Sequence, residues 1–255
     1  MKKSIYKTLL AIPITALHYI TYLFDMGNKS KVPIAEMFLQ FIFSGNPDRQ
    51  NDNFFMTVAG LLEIIIFNLL FGTYMYHDLD TGSIYVIIRQ KSRLKWYLIK
   101  SFQVFFFCTL YIIFYLGSVF LLCVFNSAFS IDKTAIGILF ISVVIISLFT
   151  FISTLLINLC ALRLGSNFGF IIIYAAISAL TGLAIFYEKI PVLNKLHFAL
   201  KFNPMANVVI NWGISGQDTI FSVSYLLILT IFVLINGYCI IEKLDIGIRD
   251  PENNQ

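Results

Sequence analysis

The chain has 255 residues, 58% of them hydrophobic and 13% charged, with a formal net charge of +4 and a mean hydropathy of +0.83. A water-soluble domain carries roughly a quarter of its residues as charges, so this composition excludes an ordinary soluble enzyme and points to lipid as the solvent. The four cysteines, Cys108, Cys123, Cys160 and Cys239, all fall inside apolar runs without metal-ligand or disulfide spacing, and they read as small buried hydrophobes.

The first apolar run, Ile5–Phe24, follows Lys2 and Lys3. It has the outline of a signal peptide but no A-x-A-like cleavage site, and it ends in bulky residues. A retained span is therefore expected, bent at Pro13, whose ring removes a backbone donor. Val32–Phe43 is apolar but too short to cross, so it is expected at the interface or as a re-entrant segment. The second run, Phe54–Tyr76, carries Glu63 at its centre. An ionised carboxylate at that depth costs about 3 kcal/mol on insertion scales. Glu63 is thus either a pathway-facing or proton-linked group, or a paired or protonated carboxylate that pins helix packing. His18, at a similar depth in the first run, is its candidate partner.

The third and fourth runs, Trp96–Phe125 and Thr134–Leu162, exceed the ~20 residues that cross ~30 Å of hydrocarbon, so they tilt or project beyond it. Asn68, Asn158 and Asn236, with Thr150, Ser153 and Thr154, are suited to hydrogen bonding between helices. The fifth run, Phe168–Tyr187, belongs to a small-residue stripe of Gly165, Gly169, Ala175, Ala179 and Gly182, which permits close helix approach. Glu188–Gly216 is dense in apolar residues and reads as short helices dipping into the outer leaflet or as a lid on the bundle. The last run is Ile220–Ile241.

The expected fold is all-α. A single domain, 1–255, has six transmembrane helices, a short helix between the second and third, and interfacial or re-entrant outer segments. Helices are favoured because each backbone polar group in lipid must be satisfied within its own segment, and no alternation of a β-barrel is present. Six spans put both termini on one side. Lys2, Lys3, Lys7, Arg89, Lys91, Arg93, Lys95, Lys100, Arg163, Lys243 and Arg249 fall on that side, against Lys29, Lys31, Arg49, Lys133, Lys189, Lys195 and Lys201 on the other. The excess places both termini in the cytoplasm. No G-x-x-x-x-G-K-[ST], H-E-x-x-H or paired-cysteine motif occurs, so no catalytic, cofactor or metal residues are expected.

The stretch His77–Lys100 carries the most information. Asp78 and Asp80 suit a helix N-terminus, while Arg89, Lys91, Arg93 and Lys95 suit its C-terminal end. Ile84, Ile87 and Ile88 would share one face of a short amphipathic helix. By itself this is also what a positive-inside anchor looks like. The order acidic-x-Gly, a few apolar residues, Arg-x-x-Ser-Arg and then Lys, opening the third span, resembles the membrane subunits of ABC exporters of the second type. The resemblance extends to Asn203-Pro204 before the last span and to Leu244-Asp245-Ile246 after it. The long N-terminal interface helix common in that family is short or absent.

This resemblance implies a permease subunit that moves an amphipathic or lipid-like substrate, a peptide by expectation, out of the bacterial cell membrane or cytoplasm. Asp80, Gly82, Ile84, Ile87, Ile88, Arg89 and Arg93 would dock on a separate ABC ATPase subunit, which would bind ATP and Mg; this chain would bind no cofactor. A second permease subunit, the same or related, would meet the first and fifth spans, with Ala175, Ala179 and Gly182 at the contact. Membrane lipid is the remaining partner, and no nucleic acid is expected. Small Phe- and Ile-rich permeases of this size are similar to those of lantibiotic and antimicrobial-peptide immunity or export systems. The alternative is a non-transporting membrane immunity or assembly protein that binds a partner.

Overall fold

Apolar runs with so few charges must satisfy their backbones internally, and they do so as helices. The structure, a computed structural model, describes residues 6–13, 15, 32–34, 53–79, 93–126, 129–130, 134–186, 201–208 and 219–243, with side chains at all of these except 32, 53–60 and 184–186. In chain order the elements are β1 (Val32–Pro33), α1 (Asn53–Phe71), α2 (Arg93–Phe125), β2 (Phe129–Ser130), α3 (Ala135–Leu164), α4 (Ser166–Phe186), α5 (Pro204–Val208) and α6 (Thr219–Glu242). Among the described residues, four helices, α2, α3, α4 and α6, are long and apolar enough to cross a membrane. They coincide within a few residues with the third to sixth apolar runs, and α1 occupies the second.

α3 is the central post. Every residue from Ile145 to Leu155 is buried, three turns without an exposed side, and α1, α2, α4, α5 and α6 all pack on it. A helix apolar on all faces is stable only in such a position or in lipid. α2 is two-faced by contrast. Tyr97, Val104, Cys108, Tyr111, Tyr115 and Val119 are buried at helical spacing, while Phe102, Phe106, Ile113 and Leu121 point outward. Cys108 and Cys123 are buried as expected, but Cys160 is half-buried and Cys239 is exposed, on the outer face of α6 near Phe232 and Ile235.

α3 and α4 are joined by Gly165 alone. Its φ of +95° lies in the region that only glycine enters freely, and its N–H donates to Ala161 O at 2.9 Å, closing the end of α3. Gly169 then lies so close to α3 that a Cβ there would sit 2.8 Å from Ile157 O. The small-residue stripe is therefore split: Gly165 makes the turn and Gly169 the close approach to α3, whereas Ala175 and Ala179 are exposed and Gly182 has open space around it.

The all-α expectation has one exception. Val32 and Pro33 pair in parallel with Phe129 and Ser130, and the adjoining Ile34 is wholly buried. Proline is tolerated because a two-residue pairing is all edge. The rest of Val32–Phe43 lies outside the described residues. In the first apolar run, Leu10 N–H donates to Lys7 O at 3.3 Å and Ile12 N–H to Leu9 O at 3.2 Å. These tightened i→i−3 bonds sit just before Pro13, whose ring crowds the carbonyl of Leu9, so the expected bend takes the form of a tight turn. α5 is a short capped helix of five residues: Asn203 Oδ1 accepts from Met205 N–H at 2.9 Å and Pro204 occupies the first helical position. Asn203 Nδ2 donates to Leu180 O at 2.8 Å, and Met205 to Val208 are buried, so this part of Glu188–Gly216 packs on the bundle.

Candidate functional site at the break in α1

α1 stops at Phe71, turns through Gly72 and Thr73, and resumes as helix over 74–79. In an unbroken helix Met75 N–H would donate to Phe71 O. Here the carboxamide of Asn158, from α3, stands between them. Its Oδ1 accepts from Met75 N–H at 2.7 Å, and its Nδ2 donates to Phe71 O at 3.1 Å and to Thr154 O at 2.9 Å. The amide orientation is dictated, since one neighbour can only donate and the other two can only accept. A side chain inserted into the i→i−4 ladder is a recognised cause of kinks, and in a membrane such a break persists only when neighbours satisfy the freed groups.

The seam continues along the same faces. Thr154 Oγ1 donates to Asn68 Oδ1 at 2.6 Å, and Asn68 Nδ2 donates to Ser153 Oγ at 3.1 Å. All these side chains are buried. Asn68, Ser153, Thr154 and Asn158 thus behave as the sequence led one to expect, whereas Asn236 is exposed and donates to Phe232 O of its own helix, at 2.8 Å. On the side of α1 near the N-terminal segment, Lys7 Nζ donates to Leu70 O at 3.4 Å and stands 5.7 Å from the Phe71 ring.

Glu63 lies farther along α1, toward its N-terminus, and is 1% exposed. Tyr111 Oη of α2 donates to its Oε2 at 2.8 Å. The Phe67 ring lies 5.3 Å from that of Tyr111 and stacks 4.7 Å from Phe71, so the tyrosine that binds Glu63 belongs to an aromatic cluster. The carboxylate faces protein, not the outer surface. His18 lies outside the described residues; Tyr111 was not foreseen. The signal for it was a tyrosine near the middle of an adjacent antiparallel run, whose hydroxyl needs a partner when buried.

Beyond the break, Asp78 is clasped by the start of α2. Its Oδ2 is 2.9 Å from Lys100 Nζ and 3.3 Å from Trp96 Nε1, which donates to it. Lys100 also stands 5.0 Å from the Tyr74 ring, and Tyr74 Oη donates to Gln103 Oε1 at 3.1 Å. These contacts tie together the two ends of the segment 80–92. Asp80, Gly82, Ile84, Ile87, Ile88 and Arg89 lie outside the described residues. Arg93 is exposed and opens α2, and its Nη1 donates to Glu242 O at the end of α6, at 3.1 Å. Among the described residues, no group of three or more His, Cys, Asp or Glu could hold a metal ion.

The chain matches no protein-family model, no curated protein and no solved structure.

Proposed function

We propose that this chain is the permease subunit of an ATP-driven exporter in the bacterial cell membrane, with six spans and both termini in the cytoplasm. It works beside a second permease subunit and separate ATPase subunits that bind ATP and Mg, and it carries an amphipathic or lipid-like substrate, a peptide by expectation. The segment from Asp80 to Arg89 docks on the ATPase. The observation that supports this reading is the clasp of Asp78 by Lys100 and Trp96. A docking segment transmits force only if its two ends are held as one unit, and the clasp joins the end of 74–79 to the start of α2. The break held by Asn158 lies one turn away, so the clasped unit can tilt against α3 while the backbone groups of α1 stay satisfied.

The test is affinity purification of the full chain from native membranes. The expected result is co-purification of a soluble subunit with a phosphate-binding Walker motif, lost in an Arg89→Glu variant that still inserts with normal topology. Truncating one side of a buried charge pair already costs about 2–5 kcal/mol, enough to release a partner, and reversal adds repulsion. Recovery of the chain without any nucleotide-binding subunit would overturn the exporter reading in favour of a non-transporting immunity or assembly protein.

A further inference from the structure

α2 and α6 are pinned together near one end. Arg93 Nη1 donates to Glu242 O at 3.1 Å, and Gly237 lies so close to Tyr97 Oη that a Cβ would collide with it. Toward the middle of the two helices a groove of about 890 Å³ opens between them. Phe102 and Phe106 of α2 stand on one side, Leu227 and Leu234 of α6 on the other, with Leu148 and Phe151 of α3 beneath. The rim is open, since Phe102 is 68% exposed, while the floor is closed, since Phe151 is 3% exposed.

Two features specify an occupant. Leu98 to Phe107 is nine helical steps, or about 14 Å, close to the ~15 Å depth of one leaflet's hydrocarbon. A groove of that length takes up the part of an acyl chain that lies within one leaflet. Lys95 precedes Leu98, Ile99 and Phe102 by three, four and seven residues, so it crowns the same helix face at the boundary end. It is exposed, as is Arg93. An apolar slot one leaflet deep with a cation at its mouth matches a lipid tail below a phosphate.

We propose that this groove holds one acyl chain of an anionic phospholipid from the leaflet on the Arg93 side, with the phosphate beside Lys95. The site needs only the bundle and a bilayer, and it stands whether or not the chain pairs with an ATPase.

The experiment places the full chain in phosphatidylcholine nanodiscs containing a trace of diazirine-tailed phosphatidylglycerol or diazirine-tailed phosphatidylcholine, then maps the adducts by mass spectrometry after photolysis. Adducts should concentrate at Leu98, Phe102, Phe106 and Leu227 over Phe140 and Phe168, which are equally open residues of α3 and α4. Phosphatidylglycerol should label the groove about fivefold better than phosphatidylcholine, the worth of one cation at an anionic surface. Lys95→Gln should erase that preference and leave the labelling by phosphatidylcholine unchanged. Leu227→Trp, at an exposed rim position that tolerates bulk, should reduce groove labelling by both lipids. Labelling spread evenly over all exposed apolar residues would overturn the site, and so would a phosphatidylglycerol preference that survives Lys95→Gln. Disulfide-linked pairs of a Phe102→Cys variant, with no lipid adduct in the groove, would instead assign it to a second protein chain.

Discussion

Replacing Asn158 with leucine tests whether its amide is what breaks α1. Leucine has nearly the shape of asparagine, so packing is preserved and the hydrogen bonds are the variable. Two outcomes are physically distinct. If the break persists without the amide, Met75 N–H and Phe71 O are both left unpaired in the core, at about 1–3 kcal/mol each, or about 2–6 kcal/mol together. If α1 closes, Met75 N–H donates to Phe71 O directly, and the loss shrinks to the 0.6–1.7 kcal/mol typical of a polar contact between membrane helices. The two groups are the donor and acceptor of one i→i−4 bond and Asn158 alone separates them, so closure is the expected result. Stability should fall by about 0.6–1.7 kcal/mol. Nitroxides at Leu62→Cys and His77→Cys, both exposed positions, should move toward the ~22 Å of fifteen straight helical steps. The assays are reversible unfolding in bicelles and pulsed electron–electron resonance, in a background lacking the four native cysteines. A loss of more than about 4 kcal/mol with an unchanged label distance would refute the reasoning. The break would then belong to Gly72 and Thr73, with Asn158 only filling it.

A double-mutant cycle of Glu63→Leu and Tyr111→Phe should give a coupling of about 1 kcal/mol, and a value indistinguishable from zero would mean that the 2.8 Å contact carries no energy. Gly237→Ala should cost about 1–3 kcal/mol by overpacking against Tyr97, and Tyr97→Phe should recover part of it in thermal unfolding; failure of that rescue would place the strain elsewhere. Ala179→Leu, on the exposed face of α4, should leave insertion and thermal stability unchanged and lower the yield of a co-purified second permease. Unchanged co-purification would assign that face to lipid.

Sequence periodicity and composition were enough to find the helices, because hydrocarbon leaves the backbone no other local solution. The bounds of α2, α3, α4 and α6 fall within a few residues of the apolar runs for that reason. They also marked Glu63, Asn68, Ser153, Thr154 and Asn158 as polar groups in need of partners, since each is costly in an apolar run. Which partners they take was not legible. Tyr111 is 48 residues from Glu63, and Asn158 is 83 residues from Met75, and no local rule links positions so far apart. Only the packing of α1 against α2 and α3 decided that Glu63 meets a tyrosine, and that Asn158 enters the backbone of α1 instead of a side-chain ladder. The same packing divided the small-residue stripe, because Gly169 faces α3 while Ala175 and Ala179 lie on the far side of the helix. Spacing alone identifies a stripe; which neighbour it meets is a property of the assembled bundle. Cys239 shows the limit most simply: its apolar run predicts burial, but on a helix at the rim of a bundle in lipid an apolar run has an exposed face, and Cys239 is on it.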